Sequence, residues 1–326
     1  MPLSRRLILA ALLLPLAAQA QVASQEAWPA RGPIRFIVPG PAGGAGDVTA
    51  RLVMERVAAR IGQQIVIENR PGAGTNIGMT VVARAAPDGY TLGLASIASN
   101  AVNRTLYRSL PFEPVADFAP ITLMALVPNL MVIPPALPVT NLSEFVAYAR
   151  ARPGQINFGS VGAGSSQHLA GAQFAQATGV EMTHIPYNAG GQMNTDLMEN
   201  RIQVLFQSVS AVAELARSGR VRAIAATGTE RIPAFPDVPT LREGGVDIVS
   251  TGWFGVVAPA QTPEPILERL HRETLAALGE PALQARLSAG GSLPRPSASR
   301  ADFARFMAEE TARWAPVVRA SGASVD

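Results

Sequence analysis

The chain has 326 residues, with 27 basic and 24 acidic side chains and a formal net charge of +3. It contains no Cys and only three His, which excludes disulfides and thiolate metal sites and argues against a histidine-rich metal site. Every basic residue is Arg, which excludes a phosphate loop with its lysine and a pyridoxal phosphate site. We therefore expect no cofactor and no metal. We also expect no nucleic-acid partner, because the charge is nearly balanced.

Residues 1–20 have the pattern of a cleaved signal peptide. Arg5 and Arg6 precede an apolar run at 7–18, and the sequence AQA at 18–20 is a small-x-small cleavage site. The apolar run is short for a membrane span, and no later segment is apolar enough to cross a bilayer. We predict a mature protein that is soluble in the periplasm.

The first predicted strand leads into a glycine-rich turn. Ile34–Val38 is an apolar, β-branched run, and the turn at 38–47 reads VPGPAGGAGD. Gly43 and Gly44 allow a ligand to approach the backbone, and the N-terminus of the following helix favours an anion. Asp47 is predicted to cap that helix. A tight strand-to-helix turn without a ligand is the alternative for this segment alone.

Further strands and helices alternate to the end of the chain. In the first half, strands are predicted at 65–68 and 90–95, and a helix with apolar residues on one face follows Asn76. Two extended segments, 118–121 and 129–134, are predicted to cross between lobes. A second series has strands at 156–158, 181–185, 202–206, 221–226 and 253–258, and helices at 142–151, 263–278, 281–289 and 301–318.

This order predicts an α/β fold with two lobes, each a doubly wound, mainly parallel sheet. The first lobe would hold residues 30–128, the second 129–252, and residues 253–326 would return to the first with the C-terminal helices. Ligands of such sheets bind beyond the carboxyl ends of the strands. We therefore expect a ligand cleft between the lobes.

The chain resembles the periplasmic receptors of tripartite tricarboxylate transporters, also called Bug receptors, and this resemblance implies the venus-flytrap arrangement of periplasmic binding proteins. The resemblance covers nearly the whole mature chain and rests on seven segments in the family's order: IRFIVPGPAGGAGDVTAR, VIENRPGAGTNIG, ARAAPDGYTL, INFGSVGAGSSQHLAG, THIPYNAGGQMNTDL, FPDVPTLREGG and WFGVVAPAQTP. It implies a monomeric receptor, not an enzyme, that captures a small carboxylate such as an organic acid, an aromatic carboxylate or an acidic amino acid. Its partner would be a membrane permease of the tripartite type.

The resemblance also implies which residues contact the ligand, mostly through backbone amides and water. From the first lobe these are Pro41, Ala42, Gly43, Gly44, Asp47, Asn76 and Ser96. From the second lobe they are Ser160, Gly162, Gly164, Ser165, His168, Tyr187, Asn188, Gly190 and Asp196. The sequence departs from the family pattern at Gly40, Gly46 and Gln207, which predicts a wider or differently walled pocket and leaves the ligand's identity open.

Two other functions remain as alternatives. The same fold could pass its ligand signal to a sensor kinase instead of a permease. An exported hydrolase could use Ser165 as nucleophile and His168 as base, since the two lie three residues apart. The sequence GAGSSQH lacks the G-x-S-x-G elbow, so we expect Ser165 to cap its helix and His168 to hydrogen-bond in the cleft wall.

Overall fold

The structure is a computed structural model that describes residues 28–187 and 190–326. The predicted signal peptide at 1–20 and the predicted ligand residue Asn188 lie outside the described residues. Within the described ranges, no helix combines the length and the hydropathy of a membrane span.

The first part of the chain alternates strands and helices as predicted. Its elements are β1 (Ile34–Val38), α1 (Ala45–Ile61), β2 (Ile65–Asn69), α2 (Asn76–Ala83), β3 (Thr91–Ser96) and α3 (Asn103–Leu106). A short 3-10 turn at Ala73–Thr75 precedes α2, and a π-helical turn at Ala98–Val102 precedes α3. The sequence pattern predicts that this helix continues to Ala86, but α2 ends at Ala83.

The two extended segments expected between the lobes are one strand of 16 residues, β4 (Phe118–Ile133). After it come α4 (Leu142–Arg150), β5 (Ile156–Ser160), α5 (Ser166–Thr178), β6 (Met182–Pro186), α6 (Gly190–Met198), β7 (Val204–Ser208), α7 (Val209–Arg217) and β8 (Arg222–Ala226). The chain ends with β9 (Thr251–Pro259), α8 (Glu264–Leu278), α9 (Pro281–Ala289), β10 (Leu293–Pro294) and α10 (Arg300–Ala320).

The strands form two half-sheets that share β4. In the first half-sheet β1, β2 and β3 are parallel, and β9 runs antiparallel to both β3 and β4. In the second, β5, β6 and β7 are parallel, and β7 and β8 run antiparallel to β4. The α/β fold is as predicted, but the sheet is mixed, because β4 and β9 oppose their neighbours.

The partners of β4 change between Pro128 and Asn129. Pro128 is in register with Thr251 of β9, and Asn129 is in register with Ser208 of β7. The chain crosses back nearby, where the amide of Ser250 donates to the carbonyl of Thr227 at 2.9 Å. The predicted boundary at 128/129 lies at the first crossing, and the one at 252/253 lies within β9. The division of the chain into two lobes that move independently stays a prediction.

Strand directions bring two sets of carboxyl ends toward the same section of β4. Ser96, at the end of β3, is level with Phe254 and through it with Ala125, whereas Ser208, at the end of β7, is level with Asn129. Those two levels lie four residues apart on β4, or about 13 Å along the strand. Because β7 opposes β3, the two sets of turns approach this section from opposite directions.

Each half-sheet is covered by apolar residues on both faces. One core joins β1 to α1 and α8, and another joins β3 to α10. Two further cores cover the second half-sheet. Leu169 lies on α5, in the second half-sheet, but it packs in the core formed by α3 and α10. The two half-sheets are therefore in apolar contact on the side of α5.

Candidate functional site

The turn between β1 and α1, here the first turn (residues 39–44), presents its backbone openly. Pro41, Ala42 and Gly43 are exposed. Gly43 has φ +76°, a conformation that glycine adopts without strain. Gly44 is the N-cap of α1 and no side chain caps this helix end. The amides of the first helical turn thus keep their donors for another acceptor.

Asp47 does not cap α1, so the predicted role was wrong. It is the third residue of the helix, and its carboxylate accepts from the amide of Gly43 at 2.9 Å, from Arg51 at 3.0 Å and from Asn69 at 3.0 Å. Burial alone would raise the pKa of Asp47, but these hydrogen bonds outweigh it and lower the pKa. Its carboxylate holds the turn in place through these three hydrogen bonds.

Asn76, at the start of α2, and Ser96, at the end of β3, are both buried. The Oδ1 of Asn76 accepts from Asn103 at 2.7 Å, and Asn103 also donates to the carbonyl of Gly74. The hydroxyl of Ser96 pairs with that of Ser99 at 3.0 Å. Both predicted ligand residues therefore hold adjacent turns in place.

The turn between β5 and α5, here the second turn (residues 161–165), is stabilised by its own side chains. The hydroxyl of Ser160 donates to the carbonyl of Gly162 and accepts from its amide, both at 3.0 Å. It also lies 2.6 Å from Nε2 of His184. Gly162 and Gly164 have φ of +121° and +75°. This turn is more tightly held than the first.

Ser165 and His168 have the structural roles predicted for them. The hydroxyl of Ser165 caps α5 by accepting from the backbone amide of His168 at 3.3 Å. The Nδ1 of His168 accepts from the amide of Gly164 at 3.2 Å. A general base needs its ring nitrogen at the nucleophile, and here the ring is turned to the backbone. The geometry does not place His168 as a base for Ser165, and the serine hydroxyl that contacts a histidine ring nitrogen is that of Ser160, beside His184.

His168 is held as a neutral ring. Its ring lies 4.2 Å from that of His184 and 6.2 Å from that of Phe158, and the rings of His184 and Phe158 are 5.0 Å apart. Burial, together with a smaller effect of the charge of His184, lowers the pKa of His168 to about 4. Burial also lowers the pKa of His184. The bond from Gly164 requires an unprotonated Nδ1, so neutrality and the shape of the turn are coupled.

Tyr187, Asp196 and Gly190 lie at the next strand end. The hydroxyl of Tyr187 donates to Asp196 at 2.8 Å, and Asp196 forms an ion pair with Arg201 at 3.0 Å. Burial and this hydrogen bond raise the pKa of Tyr187 to about 12. Tyr187 and Asp196 thus support the wall of the site with their polar atoms already paired, and Gly190 begins α6.

Contacts across the two half-sheets involve the second turn and the starts of two helices. A Cβ on Gly164 would lie 2.3 Å from Cδ2 of Leu106, so the second turn packs directly on α3. The starts of α1 and α7 line a common crevice of about 40 Å³, which includes Ala45, Val48 and Ser210. This crevice is small, and no residue of the first or the second turn lines it.

The three departures from the family pattern have different consequences. A side chain at Gly40 would meet open space, in agreement with a wider pocket there. A Cβ at Gly46 would lie 2.9 Å from Leu94 and 3.3 Å from Phe254, so this glycine lets α1 pack on the sheet and does not widen the pocket. Gln207 is buried and accepts from Gln167 at 3.1 Å.

Sequence reasoning missed two parts of the site. The start of α7 was not among the predicted ligand residues. Its N-cap residue is Ser208, and no side-chain hydrogen bond caps this helix. Asn129, level with Ser208, is 2% exposed and its Nδ2 has no partner among the described residues. In the sequence, Asn129 could have been recognised as a candidate because it is a polar residue within the apolar run of β4. The described residues contain no cluster of three or more potential metal ligands.

Comparison with known proteins identifies the relatives of this arrangement. The family described as "Tripartite tricarboxylate transporter family receptor" matches residues 49–323. Protein BugT of Bordetella pertussis is 36% identical over a 330-residue alignment that covers 100% of both chains. A protein encoded in the tcbD-tcbE intergenic region of Pseudomonas sp. strain P51 is 34% identical and covers 97% of this chain and 94% of its own.

Solved structures agree with this relationship. Rpa4515 of R. palustris, solved with adipate, has a TM-score of 0.82 and 35% identity over 91% of this chain and 99% of its own. MatC of Rhodopseudomonas palustris, solved with bound malate, has a TM-score of 0.77 and 32% identity over 89% and 99%. The periplasmic binding protein BugD has a TM-score of 0.78 and 30% identity over 90% and 99%. The chain belongs to the tripartite tricarboxylate transporter receptor family.

Proposed function

We propose that this protein captures a small carboxylate between its two turns, in the periplasm, and delivers it to a membrane permease of the tripartite tricarboxylate type. The observation that carries the proposal is the uncapped N-terminus of α1, which directly follows the exposed first turn. Helix N-termini favour anions through free amides and the positive end of the helix dipole.

Backbone amides, not an arginine, are the proposed carboxylate donors. Arg51, one helical turn after Asp47 in α1, is committed to Asp47, and Arg70 pairs with Glu68 at 3.2 Å. The exposed turn at Pro41–Gly43 lets ligand oxygens approach the amides of Ala45 and Gly46. The adipate and malate of two related structures support the class of ligand but do not select one acid.

Motion of the two half-sheets as lobes is part of the proposal. The hinges would be the crossings at Pro128–Asn129 and Ser250–Thr251, where the chain passes from one set of strand partners to the other. Ligand contacts from both sides favour a closed form. A permease could then distinguish a loaded receptor from an empty one by its shape.

Gly44→Val tests the capture site. Gly44 has φ −71°, which valine tolerates, and its Cβ would lie 3.2 Å from the carbonyl of Pro41 in the turn. Native mass spectrometry of the purified protein first identifies a co-purifying acid, and calorimetry then measures its affinity. We expect Gly44→Val to abolish binding and Gly32→Val, at a glycine with open space, to leave it intact. Equal affinity in a folded Gly44→Val variant contradicts the proposed site.

Small-angle X-ray scattering tests the motion. The radius of gyration should decrease when the identified acid saturates the protein. An unchanged scattering curve at a concentration shown to saturate would mean a rigid site. Delivery is tested separately by uptake of the same acid in cells with and without the protein, and unchanged uptake would remove the transport role.

A further inference from the structure

A second cavity lies beside the crossing of β4, apart from the two turns. It has a volume of about 170 Å³. Four segments line it: Leu126 and Pro128 of β4, residues 228–233 after β8, Thr251 at the start of β9, and residues 288–295 around β10. None of the residues predicted for the carboxylate site lines it. A cavity of about 150 Å³ accommodates benzene, so this one is large enough for a small organic molecule.

A buried hydroxyl in this cavity lacks a partner. Thr251 is 7% exposed, and its Oγ1 has no hydrogen-bond partner among the described residues. Buried hydroxyls are normally paired, because an unpaired one retains its desolvation cost. Thr251 lines this cavity, so its side chain lies within reach of a ligand there, and rotation about χ1 is the movement that changes where its hydroxyl points. A polar ligand group there would satisfy it.

Two charged side chains at the rim of the cavity, one positive and one negative, have no ion-pair partner among the described residues. Arg231 is committed to Glu243 at 3.0 Å. Arg295 and Glu230, which also line the cavity, form no ion pair with any described residue. The remaining lining is mainly apolar, from Leu126, Leu293 and three prolines. The cavity thus combines a cation, an anion, a hydroxyl and an apolar floor.

We infer that this cavity binds a small α-amino acid with an apolar side chain. The ligand carboxylate pairs with Arg295 and accepts from Thr251, the ammonium group pairs with Glu230, and the side chain lies on Leu126 and Leu293. A simple carboxylate leaves Glu230 unpaired, and a simple amine leaves Arg295 unpaired. The zwitterion uses both charges.

A ligand in this cavity would affect the carboxylate site because of where the cavity lies, and this effect rests on the proposed function. Arg295 follows β10, which pairs with β4 before the crossing, and Glu230 follows β8, which pairs with β4 after it. A ligand that joins Arg295 to Glu230 therefore bridges the two half-sheets. If these move as lobes, the ligand favours one relative position and changes the affinity of the carboxylate site.

The test compares leucine with two analogues that each lack one charge. Calorimetry measures leucine, 4-methylpentanoate and 3-methylbutylamine with the wild-type protein and with Arg295→Gln, Glu230→Gln and Thr251→Val. We expect leucine to bind, and either analogue to bind at least tenfold more weakly. Glu230→Gln should reduce leucine affinity to that of 4-methylpentanoate, and Arg295→Gln to that of the amine. Arg242→Gln, at an exposed arginine outside the cavity, is the matched control and should have no effect.

Gly44→Val separates this site from the carboxylate site. Leucine affinity should be unchanged in that variant, whether or not the carboxylate proposal holds. Leucine binding that disappears in Gly44→Val and persists in Arg295→Gln would place the amino acid between the two turns and overturn the inference. Equal binding of leucine and 4-methylpentanoate, or no binding of leucine, would overturn it as well.

Discussion

The first and second turns look alike in sequence, yet the structure holds them in different ways. The first turn leads into an uncapped helix, leaves Pro41–Gly43 exposed and is held by the side chains of Asp47 and Asn69. The second is capped by Ser165, braced by the ring of His168 and packed on Leu106. The difference supports the proposal that the first turn donates amides to the ligand and that the second forms a rigid opposing wall.

The largest expected effect comes from adding a side chain to the rigid turn. At Gly164, alanine must take φ +75° and place its Cβ 2.3 Å from Leu106. We expect Gly164→Ala to lower the free energy of unfolding by about 2–5 kcal/mol, since a left-handed backbone costs about 1–2 and overpacking about 1–3. Gly43→Ala is the matched control, because φ is +76° but the space is open, and it should cost about 1–2 kcal/mol. Equal losses in urea unfolding would contradict the difference between the turns.

Acid should weaken the second turn through His168. Its pKa is about 4 in the folded protein and about 6.5 when unfolded, so the unfolded chain binds more protons between these values. The free energy of unfolding should therefore fall as the pH decreases from 6.5, by about 3 kcal/mol at pH 4. His184, whose pKa is also lowered, acts in the same direction. His168→Gln keeps an acceptor without this titration, and an unchanged pH dependence in that variant would refute the assignment.

A smaller effect is expected at the carboxylate of the first turn. Asp47→Asn keeps an acceptor for the amide of Gly43 but removes the charge that pairs with Arg51. Arg51 is half-exposed, so solvent weakens this pair, and we expect a loss of about 1 kcal/mol in unfolding free energy. Glu214→Gln is a suitable control, because its pair with Arg217 lies on the surface of α7. A loss no larger than that of the control would mean that Asp47 does not hold the turn.

A loss of stability of similar size is expected at the cap of α5. Ser165→Ala removes the acceptor for the amide of His168 and should cost about 1 kcal/mol of stability. Binding of the acid should weaken by no more than one or two hydrogen bonds, about 1–3 kcal/mol. The wild-type protein should leave the acid unaltered. Steady hydrolysis of an ester or amide that is lost in Ser165→Ala would instead favour an enzyme.

The sequence alone was sufficient for local structure. Apolar runs placed the strands, glycine and proline placed the turns, and a serine followed by a helical pattern placed the cap at Ser165, because each of these depends on neighbouring residues. The seven segments were also sufficient to identify the family. The predicted ligand residues fall at strand ends for the same local reason, and their contact with ligand stays a prediction.

Only the tertiary structure decided how these pieces meet. Nothing local in residues 118–133 indicates that β4 is one strand with antiparallel partners in both half-sheets, since pairing is set by residues far away in the chain, such as Ser208 for Asn129 and Thr251 for Pro128. The same holds for Asp47, whose partner Asn69 lies on β2, and for His168, whose ring is neutral because Phe158 and His184 enclose it. Long-range pairing and burial fix these partners, so the cavity beside Thr251 and the orientation of the two turns follow from the fold and not from local pattern.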